Sequence, residues 1–234
     1  MGGFPATVNV YKFLRDTDIS YRMRKGELIN DIGEIAGSAE TLQLRQQNFS
    51  QRPSDVYAVT WSGGGGFGDP FDRDAEAVRE DIEDGAVSAG AARDIYGVVL
   101  CGDRTLDHVG TESLRAERRK ARVRNAAGAK HLQGGEILRA TENLSLRDVG
   151  GVPHYACAKC SADLGSIAEN YKSQCVLEAR DISVSNPNIG DWRRYLDEAP
   201  QFRAFCCPGC GTCIENEVAM ASDPVLHDIE IRVV

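Results

Sequence analysis

Two Cys-x-x-Cys pairs, Cys157-Ala-Lys-Cys160 and Cys207-Pro-Gly-Cys210, carry the clearest chemistry in this chain. Each pair can close a turn that aims two thiolates at one point. Two such turns supply the tetrahedral four-sulfur set that Zn2+ favours. Iron accepts the same set and stands as the alternative. The pairs are 46 residues apart, so the intervening chain must fold as part of one metal domain. Four thiolates fill a tetrahedral shell and leave no open position for substrate, so Cys157, Cys160, Cys207 and Cys210 are expected to form a structural staple.

The remaining cysteines read differently. Eight cysteines in 234 residues would suit a disulfide framework only in an oxidising compartment. The opening Met1-Gly-Gly-Phe-Pro has neither the basic nor the apolar segment of a secretory signal. No run approaches membrane-spanning length. A reducing cytoplasm is expected, with cysteines serving as ligands or buried thiols. Cys206 adjoins Cys207, and adjacent residues rarely ligate one ion together. Cys213 is a weaker substitute ligand, and Cys101 and Cys175 read as small buried hydrophobes.

No catalytic set stands out. His108, His131, His154 and His227 are scattered, and no nucleophile–base arrangement is evident. His154, three residues before Cys157, reads as a loop residue, with support of the metal loop or alternate ligation as the functional options. Asp69, Asp72 and Asp74 offer oxygen ligands for a divalent cation but serve helix capping equally well, and the calcium-loop pattern is absent. The net charge of −8 excludes a general nucleic-acid binder.

The elements that must position these residues fall into three regions. Residues 1–109 read as β-rich and then helical. Thr7–Leu14 and Asp55–Trp61 are strand candidates. A hydrophobic strand so near the first residue suggests a piece of something larger, because an unpaired edge invites association. Ser62-Gly-Gly-Gly-Gly-Phe-Gly-Asp-Pro70 could cradle a phosphate, but no Gly-Lys-Ser/Thr follows. Its glycines instead permit positive φ and side-by-side packing of extended, polyproline-II-like segments. Helices are expected from Arg73 to Asp84, capped by Asp72 or Asp74, and from Ser88 to Tyr96, with a strand over Gly97–Cys101. Residues 110–130 form a basic linker helix capped by Thr111 and ending at Gly128, with Ala116, Val123 and Ala127 as a narrow apolar stripe. Its arginines are expected to face a partner surface. Residues 131–234 are the metal domain, with strands at Glu136–Arg139, Gln174–Glu178 and His227–Val234 and a turn at Ser185–Gly190. Trp192, Tyr195, Phe202 and Phe205 are expected to supply the core around the metal. The expected class is α+β: a β-rich, glycine-rich N-terminal part, a linker helix, and a C-terminal zinc-ribbon or rubredoxin-like β domain.

Two stretches resemble known families. Gly63-Gly-Gly-Gly-Phe-Gly-Asp-Pro70, Arg73-Asp74, Val78, Asp81, Gly85, Val87-Ser88, Ala92-Arg93 and Tyr96-Gly-Val-Val-Leu100 are similar to the C-terminal end of hydantoinase B/5-oxoprolinase-type subunits. Asp107, Thr111 and Leu114-Arg115 continue that likeness, and Gly2–Ala6 and Arg52–Asp55 fit just upstream, so it covers about residues 1–128. The tail, with His154-Tyr-Ala-Cys-x-x-Cys and Phe205-Cys-Cys-Pro-x-Cys-Gly, resembles the small zinc-bearing subunit of acetone and acetophenone carboxylases. A B-type subunit is usually several hundred residues long, so the resemblance implies that its remainder, with the family's catalytic residues, lies on a separate polypeptide. It implies a hetero-oligomer with ATP-binding hydantoinase A-like subunits, in which ATP and bicarbonate are bound on other chains. The implied function is a structural zinc subunit of an ATP-dependent ketone carboxylase. The alternatives are a subunit of an ATP-dependent hydantoinase or 5-oxoprolinase, and a free-standing zinc-ribbon interaction module.

Overall fold

The computed structural model describes residues 3–42, 47–126, 128–185 and 189–232. The expected turn residues 186–188, Ala127 of the apolar stripe and the last two residues lie outside these. The chain divides into two compact units, Ala6–Gly64, and Met1–Pro5 with Gly65–Val234.

In the first unit, strand β1 (Val10–Arg15) is followed by the short helix α1 (Ile19–Arg24) and strands β2 (Ser38–Glu40) and β3 (Val56–Thr60). The sheet is antiparallel in the order β2-β1-β3. The register sets Phe13 opposite Tyr57 and Tyr11 opposite Val59, so Tyr11, Phe13 and Tyr57 share one face. Phe49 meets Phe13 edge-on at 4.6 Å, and the Arg15 guanidinium lies 4.4 Å from the Phe13 ring centre. Arg15 also bonds Glu40 at 2.6 Å and the buried Asp55 at 2.9 Å. Asp55 in turn accepts from the backbone N–H groups of Arg52 and Asp16. Phe13 is the one fully buried apolar side chain among the described residues of this unit. Both expected strands form: the first starts at Val10 and runs one residue past Leu14, and the second loses Asp55 and Trp61 at its ends. Helix α1 and strand β2 carry too little periodicity to be read in advance.

The second unit begins with the glycine-rich segment and three helices. Gly66 N–H donates to Phe4 O at 2.8 Å, and a Cβ at Gly3 would collide with the Gly66 backbone. Only glycine permits that approach. Asn216 anchors the same turn through the Gly3 carbonyl. Helix α2 (Ala75–Glu83) is capped by Asp74, one of its two candidates, and α3 (Ala89–Asp94) by Ser88, where its sequence starts it. Val78, Ala92 and Val98 form a small buried cluster beneath them. No strand forms over Gly97–Cys101. Val99 N–H is taken by the Thr111 hydroxyl and Val99 O by Asp107 N–H, leaving only a Leu100–Leu106 bridge. Cys101 opens the turn that follows and is exposed, not buried.

Helix α4 (His108–Arg122) starts earlier and stops sooner than its composition suggests. Asp107, not Thr111, caps it, accepting from Gly110 N–H at 2.8 Å. Four of its arginines, expected to face a partner, are committed within the unit. Arg115 bonds the carbonyls of Tyr96 and Arg73. Arg118 bonds those of Arg93 and Asp94 at the end of α3, the usual place for a cation on a helix. Arg119 pairs with Asp72 at 2.8 Å and Arg122 with Asp69 at 2.7 Å. Asp69, Asp72 and Asp74 are therefore two ion-pair partners and a cap.

The rest of the unit is β. Strands β4 (Glu136–Arg139), β5 (Leu144–Val149), β6 (Val152–Cys157) and β7 (Asp163–Ser166) form one antiparallel sheet in chain order. Strands β8 (Val176–Asp181), β9 (Pro200–Cys206) and β10 (Cys213–Met220) form another, ordered β10-β9-β8. Two cores result. Leu144, Leu146, Tyr155, Leu164, Tyr171 and Ile214 pack with Cys157 and Cys207. Phe202 lies apart, with Ile182, Ala204, Cys206 and Cys213, and Trp192 only flanks that second cluster while Tyr195 is exposed. The core beside the cysteines thus comes from leucines and tyrosines of residues 144–171, not from the aromatic quartet.

The segment after His227 alternates but joins no sheet among the described residues. It lies as a strap over the first core, with Ile229 and Ile231 inward. Side chains take the place of a neighbouring strand: the Tyr155 hydroxyl donates to Ile229 O at 2.9 Å, and Tyr171 and Lys172 hold Asp228 at 3.0 and 2.9 Å. Lys172 is fully enclosed and also pairs with Glu217 at 3.1 Å, which Arg203 shares at 3.2 Å. The Lys172 ammonium has an acidic partner on each side, as buried charge requires.

Candidate metal centre

The four predicted cysteines converge. Their sulfurs all lie within 4.8 Å of one another, with Cys157 and Cys207 buried and Cys160 and Cys210 partly so. Cys157 Sγ stands 3.7 Å from Cys210 Sγ, and Cys160 Sγ stands 3.6 Å from Cys207 Sγ. A disulfide would bring sulfurs to about 2.05 Å. A tetrahedron with metal–sulfur bonds of about 2.3 Å has edges of about 3.8 Å. These two separations fit edges of that tetrahedron, and the remaining ones stay within 4.8 Å, so the donor set suits one ion of zinc or iron size.

One turn, used twice, produces this geometry. Cys157 ends β6 and Cys207 follows β9. In the first turn Cys157 N–H donates to Ala162 O and Ser161 N–H to Cys157 O, at 2.9 and 2.8 Å. In the second, Cys207 N–H donates to Thr212 O and Gly211 N–H to Cys207 O, both at 2.9 Å. The offsets are identical. Ser161 and Gly211, each four residues after the first cysteine, have φ of 62° and 74°. Ser161 occupies that left-handed position despite its Cβ. At Gly211 a Cβ would also strike the Arg119 carbonyl of α4, so glycine is required there.

Hydrogen bonding among the four thiols pulls their proton affinities apart. Hydrogen bonds from Cys157, Cys160 and Cys207 hold the Cys210 thiol far below its ordinary range. Cys160 is lowered to about 7, chiefly by Cys157. Cys157 is raised, first by Cys160, and Cys207 is raised, first by Cys157. An incoming cation would displace the remaining protons, coupling its binding to pH. A filled four-thiolate shell then acts as a crosslink between the β6–β7 and β9–β10 hairpins.

The surroundings brace both turns. His131 Nδ1 lies 2.7 Å from Cys160 O, and the 130–132 segment bonds along the first turn through Leu132 N–H and Lys130 O. Sequence spacing gave His131 no distinction; only the fold brings it beside Cys160. His154, by contrast, binds Asp163 at 2.9 Å. Cys206 and Cys213 face each other across β9 and β10 and are not part of the sulfur cluster. On the second turn, Arg122 donates to Gly211 O at 2.9 Å, and Asp69 accepts from Cys213 N–H at 2.9 Å. The aspartate of Gly-Phe-Gly-Asp-Pro therefore fastens helix α4 to the second cysteine turn. Arg122 keeps its proton firmly: burial works against the charge, but Asp69 foremost, with Cys206 and Cys213 behind it, more than restores it.

Among the described residues, no helix is long and apolar enough to cross a membrane. Residues 140–234 match the family model described as acetone carboxylase gamma subunit. The chain is also 36% identical over 100 residues to the acetone carboxylase alpha subunit of Xanthobacter autotrophicus (strain ATCC BAA-1158 / Py2), a match covering 41% of this chain and 12% of that protein. It is 46% identical over 54 residues to the caprolactamase subunit beta of Pseudomonas jessenii, covering 23% of this chain and 9% of that protein. The chain thus spans about a tenth of the length of these relatives.

Proposed function

We propose that this chain supplies a structural zinc domain, held by Cys157, Cys160, Cys207 and Cys210, to an ATP-dependent carboxylase of small ketones of the acetone or acetophenone type. The observation that carries the reading is the four-sulfur cluster, built from two copies of one turn inside the stretch that matches the acetone carboxylase gamma subunit model. Residues 1–109 are read as the closing part of a hydantoinase B-type subunit, 110–130 as the helix joining it to the metal domain, and 131–234 as that domain. The remainder of the B-type subunit and the ATP-binding subunits are separate polypeptides of a cytoplasmic hetero-oligomer, and ATP and bicarbonate are bound there. The thin core of Ala6–Gly64, with Phe13 alone fully buried among its described apolar side chains, supports dependence on a partner. A subunit of this kind would help seal a compartment in which activated intermediates are kept from water.

A second reading is an ATP-dependent hydrolase of cyclic amides, favoured by the match to a caprolactamase subunit. Purification of the native complex tests both. Its chains are identified by mass spectrometry, and the complex is assayed with ATP on acetone and acetophenone with bicarbonate, and on caprolactam and hydantoin without it. Bicarbonate-dependent turnover of a ketone supports the first reading. Hydrolysis of a cyclic amide with no ketone turnover replaces it with the second.

A further inference from the structure

The second unit carries a cavity of about 510 Å3 whose walls bring together Arg118, Arg122, Arg124 and Arg180. In a chain of net charge −8, four guanidiniums around one hollow is a costly arrangement unless an anion offsets it. Asp94 and Glu178 also line the cavity, and Asp69 pairs with Arg122 at 2.7 Å, so four guanidiniums face three carboxylates and one positive charge is left over.

The four arginines are not equally engaged. Arg118 spends donors on backbone carbonyls and pairs with Asp94 at 3.6 Å, and Arg122 spends its donors on Gly211 O and Asp69. The Arg124 side chain makes no hydrogen bond or ion pair among the described residues. Arg180 Nε is closed off from solvent and makes no hydrogen bond, while the Glu178 carboxylate stands 3.7 Å away, beyond hydrogen-bond reach. The Phe202 ring, 5.5 Å from the guanidinium, steadies it. A buried N–H donor without an acceptor is expensive, and an oxyanion in the cavity would supply one. The size lies within the usual range for small-ligand sites.

We infer that this cavity is a binding site for a phosphoryl group, with Arg124 and Arg180 as its principal donors. The left-over positive charge favours an anion, and the forked guanidiniums suit the paired oxygens of a phosphoryl group. The site is separate from the four-sulfur cluster and does not depend on which reaction the complex performs. The phosphoryl group is either free phosphate or part of a phosphate ester.

The test is calorimetric titration of the full chain, purified with whatever partners keep it folded, with inorganic phosphate. Partner chains can bind phosphate themselves, so the reading is the difference between the parent and the variants Arg124→Gln and Arg180→Gln. Each variant should weaken one saturable site by about tenfold or more. Arg124→Lys should weaken it less. Arg124 makes no contact that the fold needs, so its variant should melt like the parent and keep its metal. Competition by ADP would assign the site to phosphate esters, and indifference to ADP would assign it to free phosphate. No saturable phosphate site, a site that both Gln variants leave unchanged, or acetate competing as well as phosphate would each overturn the inference.

Discussion

Replacing Asp69 by alanine should unfasten helix α4 from the second cysteine turn. The Asp69 carboxylate is fully buried and accepts from Arg122 at 2.7 and 3.4 Å, from Cys213 N–H at 2.9 Å and from Phe71 N–H at 3.0 Å. Its removal leaves a largely enclosed guanidinium without its counter-charge and two backbone donors without acceptors. Stranding one partner of a buried ion pair costs about 3–5 kcal/mol, a large share of the roughly 5–15 kcal/mol that holds a domain together. Asp69→Asn should cost less, because it keeps one oxygen acceptor. Removing the stranded charge as well, in Asp69→Ala with Arg122→Ala, should recover part of the loss, giving a coupling of about 1–3 kcal/mol. Urea unfolding of the metal-loaded full chain, followed by near-ultraviolet circular dichroism, measures these differences. Metal release to a chromogenic chelator should quicken in step, since Arg122 also holds Gly211 O. A single variant within about 0.5 kcal/mol of the parent, or strictly additive single and double variants, would refute this reasoning.

Other consequences follow from particular contacts. Lys172→Ala should cost about 3–5 kcal/mol by leaving Asp228 without its counter-charge and Glu217 with Arg203 alone, and Lys172→Met, which keeps the volume, should cost less; a Lys172→Met variant that melts like the parent would contradict a stabilising ion network. Gly211→Ala should lower metal-loaded stability by more than about 1 kcal/mol, through both its positive φ and the Arg119 carbonyl; denaturant midpoints decide this. Asp55 is held below the usual carboxylate range, first by Arg52 N–H, against the opposing pull of burial, and then by Asp16 N–H and Arg15. Its contribution is therefore full above the unfolded carboxylate pKa of about 3.9 and lost as pH falls through its lower folded value. Asp55→Asn should flatten the acid limb of unfolding read by circular dichroism from Phe49 and Tyr57, and an unchanged limb would count against the assignment.

The sequence made the cysteine set legible because the chemistry depends on local spacing, and each Cys-x-x-Cys defines its own turn. It also made α2 and α3 legible, because Asp74 and Ser88 cap within three residues. What escaped depends on distant partners. The arginines of α4 look like a solvated or partner-facing surface until Asp69, 53 residues earlier in the chain, is brought to Arg122. The alternation after His227 is real, but a row of inward isoleucines does not say whether a strand will hold the backbone or whether the Tyr155 hydroxyl will take Ile229 O while Tyr171 takes the Asp228 carboxylate. Val98 and Val99 have strand composition, yet Thr111 and Asp107 claim the groups a ladder would need. His131 gained its place beside Cys160 only through the fold.

The central claim is a zinc ion in a closed four-thiolate shell. X-ray absorption at the metal edge of the natively purified protein tests it most directly. The account predicts about one zinc per chain with four sulfur neighbours at about 2.3 Å and no lighter ligand, and loss of that signal in Cys160→Ala and Cys210→Ala. An iron edge, a shell containing nitrogen or oxygen, or full zinc retention in both variants would contradict it.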